Sequence, residues 1–126
     1  MAVTKTINVD GIDVTFRASA AVPRLYRLKF GRDIYKDLRS LEKSVNDSDE
    51  GESSLDTFSL ELFENIAFIM AYHADPKNTP HEPDEWLEQF NTFSIYQILP
   101  EIIGLWGLNV QQQVDSKKNL TAVSGK

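Results

Sequence analysis

His73 and His81 are the residues of this sequence best suited to bind a metal ion or to transfer a proton. Three acidic residues lie near them in the chain, Asp75, Glu82 and Asp84. A zinc site needs three or four converging ligands, and the spacing matches no HExxH or comparable metal motif. We therefore expect no metal and no other cofactor. His73 is predicted to be a hydrogen-bonded residue at a helix end, and His81 an exposed loop residue.

A second candidate for chemistry is the acidic group of Asp84, Glu85 and Glu88, because paired carboxylates perform general acid–base catalysis. That chemistry requires a cleft that separates the two pKa values. Acids in the first turn of a surface helix are also favoured by the helix dipole, which is the simpler explanation. The sequence has no cysteine, no glycine-rich phosphate loop and no GxSxG nucleophile motif. By elimination it predicts a binding or assembly protein with no catalytic residues.

Charge is distributed unevenly along the chain, whose net charge is −6. Residues 17–43 hold eight basic and three acidic residues, a net charge of +5, whereas residues 44–101 hold thirteen acidic residues and one lysine, a net charge of −12. Opposite segments of this kind pair within one chain or between copies. We predict a salt-sensitive homo-oligomer in which the acidic surface of a neighbouring copy meets four basic residues: Arg24, Arg27, Lys29 and Arg32.

Length and hydropathy predict one domain. The chain has 126 residues, within the usual range for a single domain. No apolar run reaches the roughly 18 residues that would span a bilayer, and the first residues lack the apolar region of a signal peptide. These features predict a soluble cytoplasmic protein without membrane contact.

The N-terminal residues predict a β-hairpin over 3–17. Apolar residues alternate with polar ones in residues 3–9 and 12–16, as in half-buried strands. Asp10-Gly11 lies between them and favours a two-residue turn in which both positions take positive φ. Because a lone hairpin is barely stable in water, it must pack on the rest of the chain.

The remaining sequence predicts a helical body over 20–109. A helix capped by Ser19 ends at Gly31, and a second runs from Ile34 to Val45. A largely apolar helix follows from Phe58 to about Ala74, then a short one at 84–90, and a last one at 94–109 that Pro100 interrupts. An exposed acidic loop is expected at 46–54 and a flexible polar tail at 110–126. The fold class is α+β, mainly α: a two-stranded hairpin packed on four to five helices.

Residues 17–34, RASAAVPRLYRLKFGRDI, resemble a segment of the tail assembly chaperones of long, non-contractile-tailed bacteriophages of Gram-positive hosts. The similarity continues through the apolar helix and the segment QILPEIIGLW at 97–106, and it covers most of residues 7–109. The resemblance implies a protein without enzymatic activity that binds the tape-measure protein, keeps it soluble and helps recruit tail-tube subunits. It also implies action in the host cytoplasm and absence from the mature virion.

The family resemblance further implies that this chain is the short product of its gene. Members are commonly made in two lengths, the longer by ribosomal frameshifting, and the longer form is expected to contact the tail-tube protein. The residues Lys117, Lys118 and Asn119 can be encoded with the slippery heptamer A-AAA-AAC. The codons of the gene test this hypothesis.

Two further interpretations stay open at the level of sequence. Leu99, Ile102, Ile103 and Trp106 either contribute to a partner-binding or self-association surface or belong to the core. The alternative function is a small phage regulatory or DNA-associated protein that uses the basic segment Arg17–Arg39, although the acidic net charge disfavours nucleic acid. An enzyme of unrecognised type would need a pocket with converging polar groups.

Overall fold

The computed structural model describes residues 2–46, 57–91 and 93–107. It confirms the predicted fold class, a two-stranded antiparallel hairpin on a mainly helical body. The elements are β1 (Val3–Val9), β2 (Ile12–Ala18), α1 (Ala21–Phe30), α2 (Ile34–Asn46), α3 (Thr57–Ala74), α4 (Pro83–Leu87), a 3₁₀ helix (Ser94–Ile98) and α5 (Leu99–Leu105).

The hairpin turn follows from two residues that take positive φ. Asp10 has φ 55° and Gly11 has φ 81°, as the predicted two-residue turn requires. The side chain of Asn8 accepts a hydrogen bond from the Gly11 N–H at 3.1 Å, and Asp10 accepts one from the Asn91 N–H at 2.9 Å. Strand pairing then runs from Val9 opposite Ile12 to Val3 opposite Ala18, one residue beyond the predicted end. The turn is thus held against the chain that follows α4.

Helix α1 begins one residue later than the predicted cap implies. Its N-cap is Ala20, which makes no side-chain cap bond, while the Ser19 hydroxyl accepts from the Ala21 N–H at 3.3 Å. The predicted end at Gly31 is confirmed, with φ 69° and its N–H bonded to the Arg27 carbonyl. Glycine adopts this left-handed conformation without the steric cost that a Cβ atom imposes. The chain then turns into α2, where the Asp33 side chain accepts from the Tyr35 N–H at 2.9 Å.

Helix α3 forms the centre of the core, as its apolar sequence predicts. Nine of its residues are buried, and strand β2 together with helices α1 and α2 packs around it. Phe16 brings the hairpin onto this core and meets Trp86 of α4 edge to face at 6.3 Å. Strand β1 rests on the 3₁₀ helix and on α5, where Lys5 and Glu101 form an ion pair at 3.2 Å.

Pro100 separates two helices, as predicted, because its ring removes a backbone donor. It lies at the first positions of α5, where the missing N–H costs nothing. The short helix predicted at 84–90 is present over Pro83–Leu87, so it begins one residue earlier and ends three residues earlier than predicted. The expected acidic loop at 46–54 lies outside the described residues apart from Asn46, the last residue of α2, and the expected tail at 110–126 lies outside them too.

Candidate binding cleft

A cleft of about 360 Å³ opens between α1, α3 and the loop that follows α3. Leu25 and Leu28 enter it from α1 because a spacing of three residues puts them on one helix face. Phe68 and Tyr72 enter from α3 at a spacing of four residues, with their ring centroids 5.9 Å apart. The remaining lining residues are Lys29, Ile69, His81 and Glu82.

The rim of this cleft is polar. Lys29 Nζ forms an ion pair with Glu82 Oε2 at 3.1 Å and lies 5.7 Å from the centre of the Phe68 ring. The Tyr72 hydroxyl and His81 Nδ1 lie 3.2 Å apart. An exposed ion pair of this kind contributes only about 0–1 kcal/mol to stability. The ion pair joins α1 to the loop after α3 across the rim of the cleft.

Leu28 is the most exposed apolar side chain of the cleft, at 66% of its full accessibility. Apolar side chains at protein–protein contacts become buried on binding, and complete burial of a leucine contributes about 1.5–3 kcal/mol. Tyr35, Phe58 and Phe93 are also exposed, at 55%, 50% and 71%, but none of them lines this cleft. The cleft thus combines a floor of buried apolar side chains with one large exposed apolar side chain, Leu28, at its edge.

The structure divides the four basic residues of the predicted contact into two pairs. Arg32 donates two hydrogen bonds of 2.8 Å to the buried carboxylate of Asp37, and Lys29 pairs with Glu82. Arg24 and Arg27 are exposed, and no carboxylate of the described residues lies within ion-pair distance of them. Arg32 and Lys29 therefore act within the chain, which narrows the basic contact surface to Arg24 and Arg27.

Asp37 links α1 to α2 through a buried polar network. Its carboxylate also accepts a hydrogen bond of 2.7 Å from the hydroxyl of Tyr26, which is fully buried. Burial, then the bond to Asp37 and its negative charge, raise the pKa of Tyr26 well above its ordinary value. Sequence reasoning missed this network, because its only local signal is an aspartate five residues after an arginine, a common spacing.

The apolar residues of the last helix belong mostly to the core. Leu99 is 5% exposed, and Ile102 and Ile103 are not exposed at all, so these three form no surface in the structure. Trp106 is half-buried: its Nε1 donates to Met70 Sδ at 3.3 Å, and its ring meets Tyr35 edge to face at 6.1 Å. Of the four residues considered for a groove or contact surface, Trp106 alone reaches solvent.

The two histidines lie apart and serve different contacts. His73 Nε2 lies 2.9 Å from the Ser19 hydroxyl at the junction of α3 with α1, as expected for a helix-end residue. Burial, then the charge of Arg17, lower the pKa of His73. His81 is exposed in the loop, as expected. Within residues 2–46, 57–91 and 93–107, no three His, Asp or Glu side chains are placed to hold a metal ion.

Asp84, Glu85 and Glu88 are all exposed on or beside α4. Asp84 and Glu88 border a second hollow, of about 460 Å³, whose other lining residues are Leu87 and Phe90.

A further acidic residue, Glu64 of α3, accepts a hydrogen bond from the Tyr96 hydroxyl. Burial, followed by this bond and the charge of Glu64, raises the pKa of Tyr96 to about 12. Glu64 thus joins α3 to the 3₁₀ helix through the Tyr96 hydroxyl.

No protein-family model matches the chain, and neither does any curated protein or solved structure. Among the described helices, none is both long enough and apolar enough to cross a bilayer. The cleft was missed from sequence because its two walls, α1 and α3, are separated in the chain by the whole of α2. The available signal was the pair Leu25 and Leu28 at helical spacing between basic residues on α1.

Proposed function

We propose that this chain is a bacteriophage tail assembly chaperone that binds the tape-measure protein. The observation that carries the proposal is the open apolar cleft between α1 and α3, with Leu28 exposed at its edge and the Lys29–Glu82 ion pair on its rim. The resemblance of residues 17–34 and 97–106 to this family supports the same assignment. The chain would bind its client without chemical change.

The cleft suits an amphipathic helix. Such a helix places apolar side chains at spacings of three and four residues into an apolar groove, and its polar flanks meet the charged rim. Leu25, Leu28 and Tyr72 supply the apolar contacts above the buried Phe68. Lys29 and Glu82 supply a cation and an anion at the rim. The tape-measure protein of this phage class is expected to be a long helical chain with such apolar stripes.

A single cleft of about 360 Å³ can take only a few side chains. If two or three apolar side chains are buried at roughly 1.5–3 kcal/mol each, most of that gain is lost again to the entropy of association. Each contact would then be weak on its own. A long client with repeated stripes binds many copies at once, and the linked contacts give a much higher overall affinity.

The proposed setting follows from the family assignment. The chaperone acts in the cytoplasm of the bacterial host, keeps the tape-measure protein soluble, and is absent from the mature virion. Recruitment of the tail-tube protein belongs to the longer, frameshifted product. A nucleic-acid role has less support, because Lys29 and Arg32 of the basic segment are already paired with Glu82 and Asp37.

The test is co-expression of the full chain with the tape-measure protein of the same phage. Leu28→Asp places a charge at the edge of the cleft, and we expect it to reduce co-purification of the client at least about tenfold, the loss of one buried leucine. Phe93→Asp is the matched control, since Phe93 is 71% exposed, close to the exposure of Leu28, and lies outside the cleft. Equal client recovery with the two variants would contradict the assignment of the cleft.

A further inference from the structure

The outer face of α1 combines positive charge with an exposed leucine. Arg24, Arg27 and Leu28 stand at spacings of three and four residues, which place them on one face of the helix. All three are exposed, and Leu28 keeps 66% of its accessibility. Neither arginine is paired with a carboxylate from the described ranges. We call these three residues the basic face.

A second surface carries the opposite charge at the same spacing. Asp84, Leu87 and Glu88 also stand three and four residues apart, and they border the hollow that Phe90 completes. Asp84 and Glu88 are exposed, and no lysine or arginine of the described ranges pairs with them. The helix dipole accounts for Asp84 in the first turn but not for Glu88, which lies at the C-terminal end where a negative charge is unfavourable. We call this surface the acidic face.

We propose that the basic face of one copy of this chain docks on the acidic face of a second copy. Two cations and one leucine then meet two anions and a hollow bordered by Leu87 and Phe90, with Leu28 entering between these two side chains. Like charges on either face alone would repel a copy of the same face, so the charge pattern selects the cross-pairing. The proposal is tested on the purified chain alone, apart from the tape-measure assignment. Because Leu28 also borders the cleft, the Leu28 of one copy makes one of the two contacts at a time.

Every copy carries both faces, so its basic face can dock on one neighbouring copy while its acidic face binds the basic face of the same or another copy. The contact is therefore made twice in a closed pair or repeated along a row of copies. Exposed charges within such a contact are screened by salt, since the screening length falls from about 10 Å at 0.1 M to about 3 Å at 1 M. Self-association is expected to weaken as salt rises, and the apolar contact of Leu28 limits that weakening.

The test is the mass of the purified full chain in solution, measured by light scattering at low and at high salt. Two double variants reverse one face each: Arg24→Glu with Arg27→Glu, and Asp84→Lys with Glu88→Lys. Because all four residues are exposed, both variants should fold, which far-ultraviolet circular dichroism verifies. Each variant alone should associate at least about tenfold more weakly than the wild type at low salt. An equimolar mixture of the two should associate again, since every reversed charge then meets its opposite.

The matched control reverses Lys36 and Arg39 to glutamate. These residues are exposed, lie three positions apart on α2 and change the net charge by the same amount as the reversed basic face. The control should associate like the wild type. The proposal is overturned if the wild type stays monomeric at low salt, if the control loses association as fully as the reversed basic face, or if the mixture of reversed variants stays monomeric.

Discussion

Replacement of Asp37 tests how the junction of α1 with α2 is stabilised. Asp37 is 2% exposed, and its carboxylate accepts hydrogen bonds from the Tyr26 hydroxyl at 2.7 Å and from Arg32 Nε and Nη2 at 2.8 Å each. The two donors differ in their access to water. Tyr26 is fully buried, whereas the side chain of Arg32 is 42% exposed and stays hydrated without its partner.

The expected cost of Asp37→Ala follows from that difference. A buried hydroxyl left without an acceptor costs about 1–3 kcal/mol. The ion pair with the partly exposed Arg32 adds only about 0–1 kcal/mol after screening by solvent. We therefore expect a loss of about 1–4 kcal/mol in the free energy of unfolding, or about 3–5 °C in Tm per kcal/mol for a chain of this size. Asp37→Asn keeps an acceptor for Tyr26 and should cost less.

The assay is urea denaturation followed by far-ultraviolet circular dichroism, with the free energy extrapolated to water. A double-mutant cycle with Tyr26→Phe isolates the hydroxyl contact, because a phenylalanine ring has no hydroxyl and needs no acceptor. The cost of the double variant should fall short of the sum of the single costs by about 1–3 kcal/mol. Costs that add within about 0.5 kcal/mol would refute the reasoning, since independent sites behave in that way.

Two predictions concern pH. The pKa of His73 is lower in the folded chain than its ordinary value of 6.5, so the unfolded chain binds a proton at this residue more readily. The free energy of unfolding should therefore decline as pH falls below 6.5. His73→Gln should flatten the decline in unfolding experiments at stepped pH, and an unchanged slope would contradict this. The pKa of Tyr96 is raised from 10.0 to about 12 in the folded state. Its protonated hydroxyl therefore stabilises the fold fully below pH 10, and this contribution is lost as pH rises from 10 through 12. Tyr96→Phe should therefore lessen the alkaline loss of stability and remove one late step from the phenolate absorbance titration; an unchanged titration would contradict this.

Local signals made much of the fold predictable. Asp10-Gly11 specified the hairpin turn, Gly31 the end of α1 and Pro100 the break before α5, because each acts through the backbone of its own or adjacent residues. The apolar circumference of α3 likewise predicted its central position. In each case the determining residue lies within the element that it shapes.

Contacts between distant segments were not predictable in this way. Ile102 and Ile103 were compatible with either a surface or the core, and the choice depends on how α5 meets β1, at the opposite end of the described chain. Arg32 was predicted to contact a neighbouring copy, because an arginine and an aspartate five residues apart are a common pattern on exposed helices and do not reveal the buried pairing with Asp37. The cleft required α1 and α3 to be placed side by side, which hydrophobic periodicity alone does not determine.

The most direct test of the central claim is the soluble fraction of the tape-measure protein when it is expressed with and without this chain. A tail assembly chaperone should move most of the tape-measure protein from the insoluble to the soluble fraction and co-purify with it. Leu28→Asp should lose this effect while Phe93→Asp retains it. A tape-measure protein that stays insoluble, or a soluble one that never co-purifies with the folded wild-type chain, would contradict the account.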